Sequence, residues 1–474
     1  MNEKLVPSAK RARHSSFVRS WYIFSSAFLS FFFVLVLFVS AILYAIRNKL
    51  THNKLAGMSE NDPDDDGVDC YPDIKHMKPT ANLRSYVLAI GLELKEYQVQ
   101  TKDGYILPLH RLIDPKQTDD QRAQMEPILC QHGLLSSSGS FLTPGNRSLP
   151  VFLLRQGFDV WLGNNRSGFE PLHAFYTGNL MHNEEYWDWD IQDLAHYDIT
   201  CLIENVLVHT PNYKKLILMG HSQGCTQSFL MLRNTELAEI HEKVGYFVGL
   251  APAIYPGTLF HKRKFLKFMG NRSKLGFKLF FGVCCFLNVL TQSRNWFHNF
   301  PLFGNVCVLM FNYLFQWNGK LWNSNRKIWH FHFIFNVSFV SAKLISWWLS
   351  FWREESFRNE LVSKETFQDG MNFRATEEPK YNVSDDKTFF PFKQQWFSES
   401  VIPMALFIGE VDNLVDGQRL ACHMETFEPK YQKNENLHIF EVKHYSHLDV
   451  LWANNVIRDI GRDMVEVLQN RQAR

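Results

Sequence analysis

The most hydrophobic segment of the chain is residues 21–46, which carry no charged side chain and are rich in Phe, Leu and Val. A helix rises about 1.5 Å per residue, so this segment is longer than the roughly 30 Å hydrocarbon core of a bilayer. It is also too long for the apolar core of a cleavable signal peptide. Trp21, Tyr22 and Tyr44 lie at its two ends, as aromatic residues do at membrane interfaces. The pattern therefore predicts one transmembrane helix that stays attached as a signal-anchor. Its serines, Ser25, Ser26, Ser30 and Ser40, are small enough to bond to carbonyls of their own helix.

The charges around this segment predict its orientation. By the positive-inside rule, the larger number of basic residues before it favours a cytosolic N-terminus, with the rest of the chain in a lumen or outside the cell. The preceding basic residues are Lys4, Lys10, Arg11, Arg13 and Arg19, and the following ones are Arg47, Lys49 and Lys54. Asn-x-Ser/Thr sequons, which would be glycosylated on that side, begin at Asn146, Asn165, Asn271, Asn336 and Asn382. We expect a single-pass membrane glycoprotein of the endoplasmic reticulum, the plasma membrane or a lipid droplet.

Two polar stretches flank the predicted membrane helix. Residues 1–20 form a basic tail that we expect in the cytosol, and residues 47–67 form an acidic linker. The linker is too polar to bury enough apolar surface to fold. We therefore expect the globular part to begin near Val68.

Short hydrophobic runs with the length of buried β-strands recur through the globular part, separated by stretches long enough for helices. The predicted strands are residues 96–101, 105–110, 127–130, 158–162, 215–219, 246–250, 402–408 and 437–442. The first two instead alternate polar and apolar residues on either side of Lys102-Asp103-Gly104, which predicts a β-hairpin. The alternation of apolar strands with helices predicts the α/β class, with a mostly parallel, buried sheet.

Residues 251–395 interrupt this alternation and predict a separate helical unit. The unit begins with a basic stretch at 261–267 and is then crowded with Phe and Trp, for example at 277–282, 329–335 and 347–352. Most of these aromatic residues are expected in the unit's own core. We predict a cap or lid over the sheet, whose inner wall is apolar and whose outer wall meets lipid. It divides the sheet-forming domain into residues 68–250 and 396–474.

Composition excludes several classes of protein. The chain is 46% hydrophobic and 21% charged, with a formal net charge of +2, so it is neither disordered throughout nor attracted as a whole to nucleic acid. Its cysteines form no Cys-x-x-Cys pair and have no His partner at zinc spacing. We therefore predict no nucleic-acid partner, no metal and no cofactor.

The motif that carries chemistry is Gly220-His221-Ser222-Gln223-Gly224, which follows the predicted strand 215–219 and precedes a helix-like stretch. This strand–turn–helix context is that of the nucleophile elbow of α/β-hydrolases, in which a serine is held on a strained turn. Glycines are needed on both sides because side chains there would clash with the crowded backbone. Ser222 is therefore the predicted nucleophile.

A serine needs a base to take its proton and a carboxylate to orient that base. In this fold the acid and then the base follow the nucleophile along the chain, each after a late strand. The candidate acids are Asp412, Asp416 and Glu410, and the candidate bases are His447 and His444. Spacing favours Asp412 and His447 only slightly.

Two backbone amides should stabilise the oxyanion that forms during attack. One is that of Gln223, directly after the nucleophile, and the other is that of Leu134, in the loop after the predicted strand 127–130. His132-Gly133 in this loop allows a close approach of the backbone.

Six segments in order along the chain carry a family resemblance. They read EYQVQTKDGYIL (96–107), HGLL (132–135), VWLGNNR (160–166), GHSQG (220–224), DNLVD (412–416) and HLDVLW (447–452). From Cys70 to about Val465 the chain resembles the acid-lipase group of α/β-hydrolases, and most closely the membrane-anchored fungal steryl ester hydrolases and triglyceride lipase/cholesterol esterases. The resemblance implies the triad Ser222, Asp412 and His447, and oxyanion amides at Leu134 and Gln223. Ser167 and Cys225 depart from the residues usual in the family, but neither changes a catalytic atom.

The resemblance implies a membrane-anchored serine ester hydrolase that cleaves steryl esters, triacylglycerols or both through an acyl-serine intermediate. Two other classes remain open. An acyltransferase would use the same acyl-serine and exclude water. A catalytically silent binding module on a membrane tether would keep the fold without the chemistry.

Overall fold

A mixed sheet of eight strands lies at the centre of the computed structural model, which describes residues 14–50, 68–270, 272–317, 319–349, 395–397 and 401–471. The strands are β1 Glu93–Gln100, β2 Ile106–Ile113, β3 Glu126–Gln131, β4 Phe158–Gly163, β5 Leu216–His221, β6 Val244–Leu250, β7 Met404–Gly409 and β8 Leu437–Val442. Their order across the sheet is β1-β2-β4-β3-β5-β6-β7-β8. The β1/β2 and β2/β4 pairs are antiparallel, and the sheet is parallel from β4 to β8. The predicted α/β class and all eight predicted strands are confirmed.

The N-terminal helix α1 runs from Ser16 to Leu50 and is therefore longer at both ends than the predicted span 21–46. It is long and apolar enough to cross a membrane. Ser25 and Ser26 bond to carbonyls of their own helix, as expected, whereas Ser30 donates to the carbonyl of Phe280 in another helix. The predicted linker residues 51–67 lie outside the described residues.

Helices cover both faces of the sheet. Before β7 they are α2 Leu83–Leu88, α3 Asp119–Ala123, α4 Gly139–Leu142, α5 Leu149–Arg155, α6 Ile191–Asp193, α7 Ile199–His209, α8 Gln223–Arg233 and α9 Ala238–His241. Alternate side chains of one strand point to opposite faces. On β3, Leu129 packs in the cluster that contains Phe229 of α8, while Cys130 packs in the cluster that contains Leu153 of α5. Apolar burial on both faces is what the continuous hydrophobic runs predicted.

Helices also fill the insertion between β6 and β7. They are α10 Leu259–Lys262, α11 Lys264–Gly270, α12 Lys274–Phe281, α13 Asn288–Phe297, α14 Phe303–Phe315, α15 Arg326–Ile334 and α16 Ala342–Leu349. Predicted cap residues 350–394 lie outside the described residues. The chain ends with α17 Gly417–Phe427, α18 Asp449–Trp452 and α19 Arg462–Asn470. The loops after β3, β5, β7 and β8 meet at the carboxyl edge of the sheet, beneath this insertion.

Candidate active site

Ser222 stands on a strained turn between β5 and α8. Its backbone has φ 54° and ψ −117°, a conformation that costs a non-glycine residue free energy and is typical of functional sites. The flanking glycines have no room for a side chain. A Cβ on Gly224 would lie 2.3 Å from the carbonyl oxygen of Gln131, and one on Gly220 would lie 2.8 Å from the amide nitrogen of Cys225. Close packing of the turn against β3 and α8 therefore explains both glycines.

The three predicted triad residues form a continuous hydrogen-bonded chain. Ser222 Oγ lies 2.8 Å from His447 Nε2, and His447 Nδ1 lies 2.8 Å from Asp412 Oδ2. The side chains of His447 and Asp412 are 3% and 2% exposed, so solvent does not compete for these bonds. The amides of Leu414 and Val415 donate to Asp412 Oδ1 at 2.8 and 3.2 Å, which fixes the carboxylate toward the imidazole.

The alternative acids and base lie elsewhere. Glu410 accepts a hydrogen bond from the backbone amide of His444, and both side chains are exposed at the surface. Asp416 caps the N-terminus of α17 by accepting from the amide of Arg419. Among these candidates the geometry brings only Asp412 and His447 to Ser222.

Neighbouring side chains hold the loop that carries His447. Asp449 accepts from the amide and hydroxyl of Ser446, both at 2.6 Å, and from Trp322 Nε1 of the insertion at 2.7 Å. Burial raises the pKa of Asp449. Nε2 of His221 lies 3.2 Å from the carbonyl oxygen of His447. Burial lowers the pKa of His221 to about 3. A neutral His221 can therefore donate to this carbonyl without adding charge beside the triad.

Two backbone amides face the space beside Ser222. Neither the Leu134 N–H nor the Gln223 N–H donates a hydrogen bond within the described part of the chain. A Cβ on Gly133 would lie 3.1 Å from Ser222 Cβ, so glycine allows the Leu134 loop to approach the nucleophile.

His132 fixes the orientation of the Leu134 amide. Its Nε2 accepts from the amide of Asn165 at 3.1 Å, so Nδ1 carries the proton and donates to the Gly133 carbonyl at 2.8 Å. Burial lowers the pKa of His132 to about 4, which keeps the ring neutral near pH 7. The hydrogen bond from His132 fixes the Gly133 carbonyl. Because the peptide bond between Gly133 and Leu134 is trans, the Leu134 N–H points to the opposite side. This role of His132 could not be predicted from the sequence, in which the residue is marked only by its place beside Gly133.

The insertion covers the site with aromatic side chains that the sequence did not single out. The ring of Trp317 stacks on that of His447, with centroids 5.9 Å apart and an interplanar angle of 13°. Trp348 Nε1 of α16 donates to the side-chain oxygen of Gln223 at 2.8 Å. A cavity beside Gln223 is lined by core residues and by Phe339, Val340 and Leu344. The cap therefore contacts both the predicted base and a predicted oxyanion residue.

The Asn164-Asn165-Arg166 segment connects the loops around the site through hydrogen bonds and ion pairs. Asn165 Oδ1 accepts from Gln131 Nε2 at 2.9 Å, and Arg166 forms buried ion pairs with Asp198 at 2.7 Å and Asp103 at 2.8 Å. These bonds join the β1–β2 hairpin to the loops after β3 and β4. Among the described residues, no group of three or more His, Cys, Asp or Glu is placed to hold a metal ion.

Comparison with known proteins decides the family. Residues 83–145 match the family described as a partial alpha/beta-hydrolase lipase region. Sterol esterase 2 of Saccharomyces cerevisiae is 36% identical over 412 residues, which cover 84% of this chain and 73% of the yeast protein. The chain belongs to the acid-lipase group of α/β-hydrolases. Human gastric triacylglycerol lipase, 26% identical over 404 residues, covers 82% of this chain with 91% of its own length. A solved structure of the carboxylesterase CesB from Bacillus subtilis aligns over 82% of this chain and 94% of its own, with 11% identity and a TM-score of 0.39.

Membership of the acid-lipase group makes the chain a lipid ester hydrolase. The resemblance stated from the six sequence segments is therefore confirmed at the level of the family and of the class of reaction.

Proposed function

We propose that this acid lipase is a membrane-attached serine hydrolase that cleaves steryl esters or triacylglycerols through an acyl-serine intermediate. The observation that carries the proposal is the buried chain from Ser222 through His447 to Asp412, beside two amides that donate no hydrogen bond to any of the described residues. Ser222, His447 and Asp412 are the proposed triad, and Leu134 and Gln223 the proposed oxyanion donors.

In the first half of the reaction, Ser222 Oγ attacks the ester carbonyl carbon while His447 Nε2 takes the hydroxyl proton. The amides of Leu134 and Gln223 donate to the oxygen that becomes negative, and each preorganised donor of this kind is worth about 2.7–4 kcal/mol. His447 then returns the proton to the alcohol oxygen as the ester bond breaks. Asp412 accepts from His447 Nδ1 throughout and stabilises the imidazolium.

In the second half, water replaces the departed alcohol. His447 removes a proton from the water, whose oxygen attacks the acyl carbon, and the same amides stabilise the second oxyanion. His447 then protonates Ser222 Oγ, which releases the fatty acid and restores the enzyme.

The substrate class is supported by the relatives and by the cap. Relatives in the same family include a sterol esterase and triacylglycerol lipases. The cap places the apolar side chains of Phe339, Val340 and Leu344 close to Gln223, one of the proposed oxyanion residues. Sterol and diacylglycerol leaving groups are both apolar alcohols, and both would pass into an adjacent lipid phase.

We further propose attachment to the membrane through residues 21–46 within α1, with a cytosolic N-terminus, in the endoplasmic reticulum, the plasma membrane or a lipid droplet. The division into tail, membrane helix, linker, interrupted core and cap predicted from the sequence is part of this proposal. The length and hydropathy of α1 support the attachment to a membrane.

The test is an assay of the purified full chain in mixed micelles with a steryl oleate and a triolein, each labelled in the acyl group. We expect free labelled oleate from at least one of them, and none from a Ser222→Ala variant with an unchanged melting temperature. A parallel reaction with added alcohol separates the alternatives. Ester exchange without free acid would assign a transferase, and no labelled product in either reaction would leave only a binding module.

A further inference from the structure

The exposed apolar side chains of the described chain are concentrated on α1 and on the cap helices beside it. Of 24 large hydrophobic residues that are exposed, 13 lie on α1 and six lie between Leu275 and Val306. Those on α1 recur with helical spacing at Phe17, Trp21, Phe24, Phe28, Phe31, Phe32, Leu35, Val36, Val39, Ile42, Leu43, Ile46 and Leu50. They form one outward face over the whole helix. An apolar surface of this extent on a folded domain indicates contact with lipid or with another protein.

The opposite face of α1 is built to pack on the cap. On this face Ser30 and Ala41 are buried, and both are small. Ser30 Oγ donates at 2.6 Å to the carbonyl of Phe280, one of the last carbonyls of α12, which lack partners within a helix. The aromatic ring of Phe33 packs between those of Phe268 and Phe281, at centroid distances of 5.5 and 5.7 Å. The packing of α1 on the cap is therefore specific in both shape and hydrogen bonding.

Contacts with the rest of the protein extend to both ends of α1. Just before its first turn, His14 Nδ1 lies 2.6 Å from Oε1 of Glu184, a buried residue of the core. Near its last turn, the ring of Tyr44 packs on that of Tyr313 in α14, with centroids 5.7 Å apart. Residues 16–44 of a helix extend about 42 Å, which exceeds the roughly 30 Å hydrocarbon thickness. One folded domain thus contacts α1 over a length greater than a bilayer core.

We propose that α1 does not cross the bilayer but lies along it, so that α1 and cap helices α12–α14 insert one shared apolar face into a single lipid leaflet. A helix that crosses the membrane would place His14 and Tyr44 on opposite sides, and the charged core segment that holds Glu184 could not then reach His14. In the proposed arrangement the N-terminus and the catalytic domain are on the same side. This inference rests on the membrane attachment proposed above, and is independent of the hydrolase chemistry.

Two sequons support a cytosolic catalytic domain, where the charge pattern had favoured a lumenal one. Asn165 is 5% exposed and bonded to Gln131 and Gln227, and Asn336 is 8% exposed and bonded to the carbonyl of His332. A glycan on either residue could not be accommodated in the folded domain. Single-leaflet insertion with a cytosolic N-terminus keeps both residues away from the glycosylation machinery, and it also suits the monolayer of a lipid droplet.

The first test is the topology of the full chain in sealed microsomes, with an epitope tag at each terminus. We expect protease added outside to remove both tags, because both ends of the chain are proposed on the cytosolic side, and alkaline carbonate to leave the protein in the membrane. Protection of both tags would contradict the cytosolic placement of the catalytic domain. Removal of one tag alone would establish a crossing helix and overturn the proposal, as would release by carbonate. Hydrolysis of labelled steryl oleate or triolein by the same microsomes, after detergent, reports the proposed function separately.

The second test measures insertion of the cap. A polarity-sensitive dye is attached to Trp296→Cys or, as the matched control, to Val208→Cys in full-length protein carrying Cys422→Ser, since the other seven cysteines are buried. Trp296 and Val208 are 71% and 73% exposed, but only Trp296 lies on the cap. In phosphatidylcholine vesicles we expect blue-shifted emission and quenching by brominated acyl chains at 296, and neither at 208. Equal, water-like emission at both positions would refute insertion of the cap.

Discussion

Replacement of Asp412 by Asn tests the proposed role of this residue with little change in shape. The amides of Leu414 and Val415 both donate to Asp412 Oδ1, while Oδ2 faces His447 Nδ1. In Asp412→Asn the side-chain oxygen must take the place of Oδ1 and accept from the N–H groups of Leu414 and Val415. The opposite orientation would direct the side-chain NH₂, a donor, at two other donors. The side-chain NH₂ then faces His447 Nδ1 and forces that nitrogen to be an acceptor.

The consequence reaches the nucleophile through the tautomer of the imidazole. With Nδ1 as acceptor, His447 Nε2 carries the proton and cannot take the one from Ser222. Loss of the correct tautomer in a triad lowers kcat by about 10⁴-fold, or roughly 5.4 kcal/mol in the barrier. We expect this loss in kcat, with KM nearly unchanged, because the Asp412 side chain is 2% exposed and lies behind the imidazole.

The assay is steady-state hydrolysis of a p-nitrophenyl ester in mixed micelles by wild type, Asp412→Asn and Asp416→Asn. Asp416 caps α17 and does not face the imidazole, so its variant should lose about 1 kcal/mol of stability and keep its kcat. A kcat for Asp412→Asn within tenfold of wild type would refute the assignment, and so would equal losses in the two variants.

Three further predictions concern the cap and the helix that packs on it. Trp348→Phe removes the hydrogen bond to the Gln223 side chain and should lower kcat about three- to tenfold at unchanged KM, since one such bond is worth about 1 kcal/mol; steady-state kinetics equal to wild type would contradict this. Burial lowers the pKa of His332 to about 3, so below an unfolded-state pKa of about 6.5 the unfolded protein binds the extra proton, and stability falls as the pH falls. Wild type should therefore lose about 2 kcal/mol more than His332→Gln between pH 6.5 and 5 in denaturant unfolding, and parallel pH profiles would show that this histidine does not titrate on unfolding. Ser30→Leu overpacks the contact of α1 with Phe280 and should cost about 1–3 kcal/mol in thermal unfolding, whereas Val36→Leu on the outward face should cost almost nothing; equal effects would contradict the packing of α1 on the cap.

The sequence predicted the parts of the fold that depend on local pattern. The first two strands were found because polar and apolar residues alternate on either side of a turn, and the other six because each is a short apolar run. The predicted edges differ from the observed ones by only a few residues. The strained turn at Ser222 was found because its geometry requires glycine at 220 and 224, where a Cβ would meet backbone atoms. Class of fold and class of reaction could both be predicted from such signals.

Residues whose position depends on contacts distant in sequence were not found. Trp317 and Trp348 lie among many aromatic residues of the insertion, and nothing local marks the two that reach His447 and Gln223. The role of His132 depends on the backbone amide of Asn165, which is distant in sequence. Asn165 also begins a sequon, and its burial, which the sequence does not reveal, leaves no room for a glycan. Spacing could not separate Asp412 from Asp416 either, because both follow β7 and only the turn between them decides which carboxylate faces the imidazole.

The central claim, that Ser222 becomes acylated during turnover, has a direct test. Full-length enzyme is mixed with a long-chain p-nitrophenyl ester at low temperature, quenched in acid within milliseconds, digested and analysed by mass spectrometry. We expect the mass of the acyl group on the peptide that contains Ser222. This mass should decay as free acid appears, and it should be absent in His447→Ala. Hydrolysis at the normal rate with no acyl group on that serine, or with the group on another residue, would contradict it.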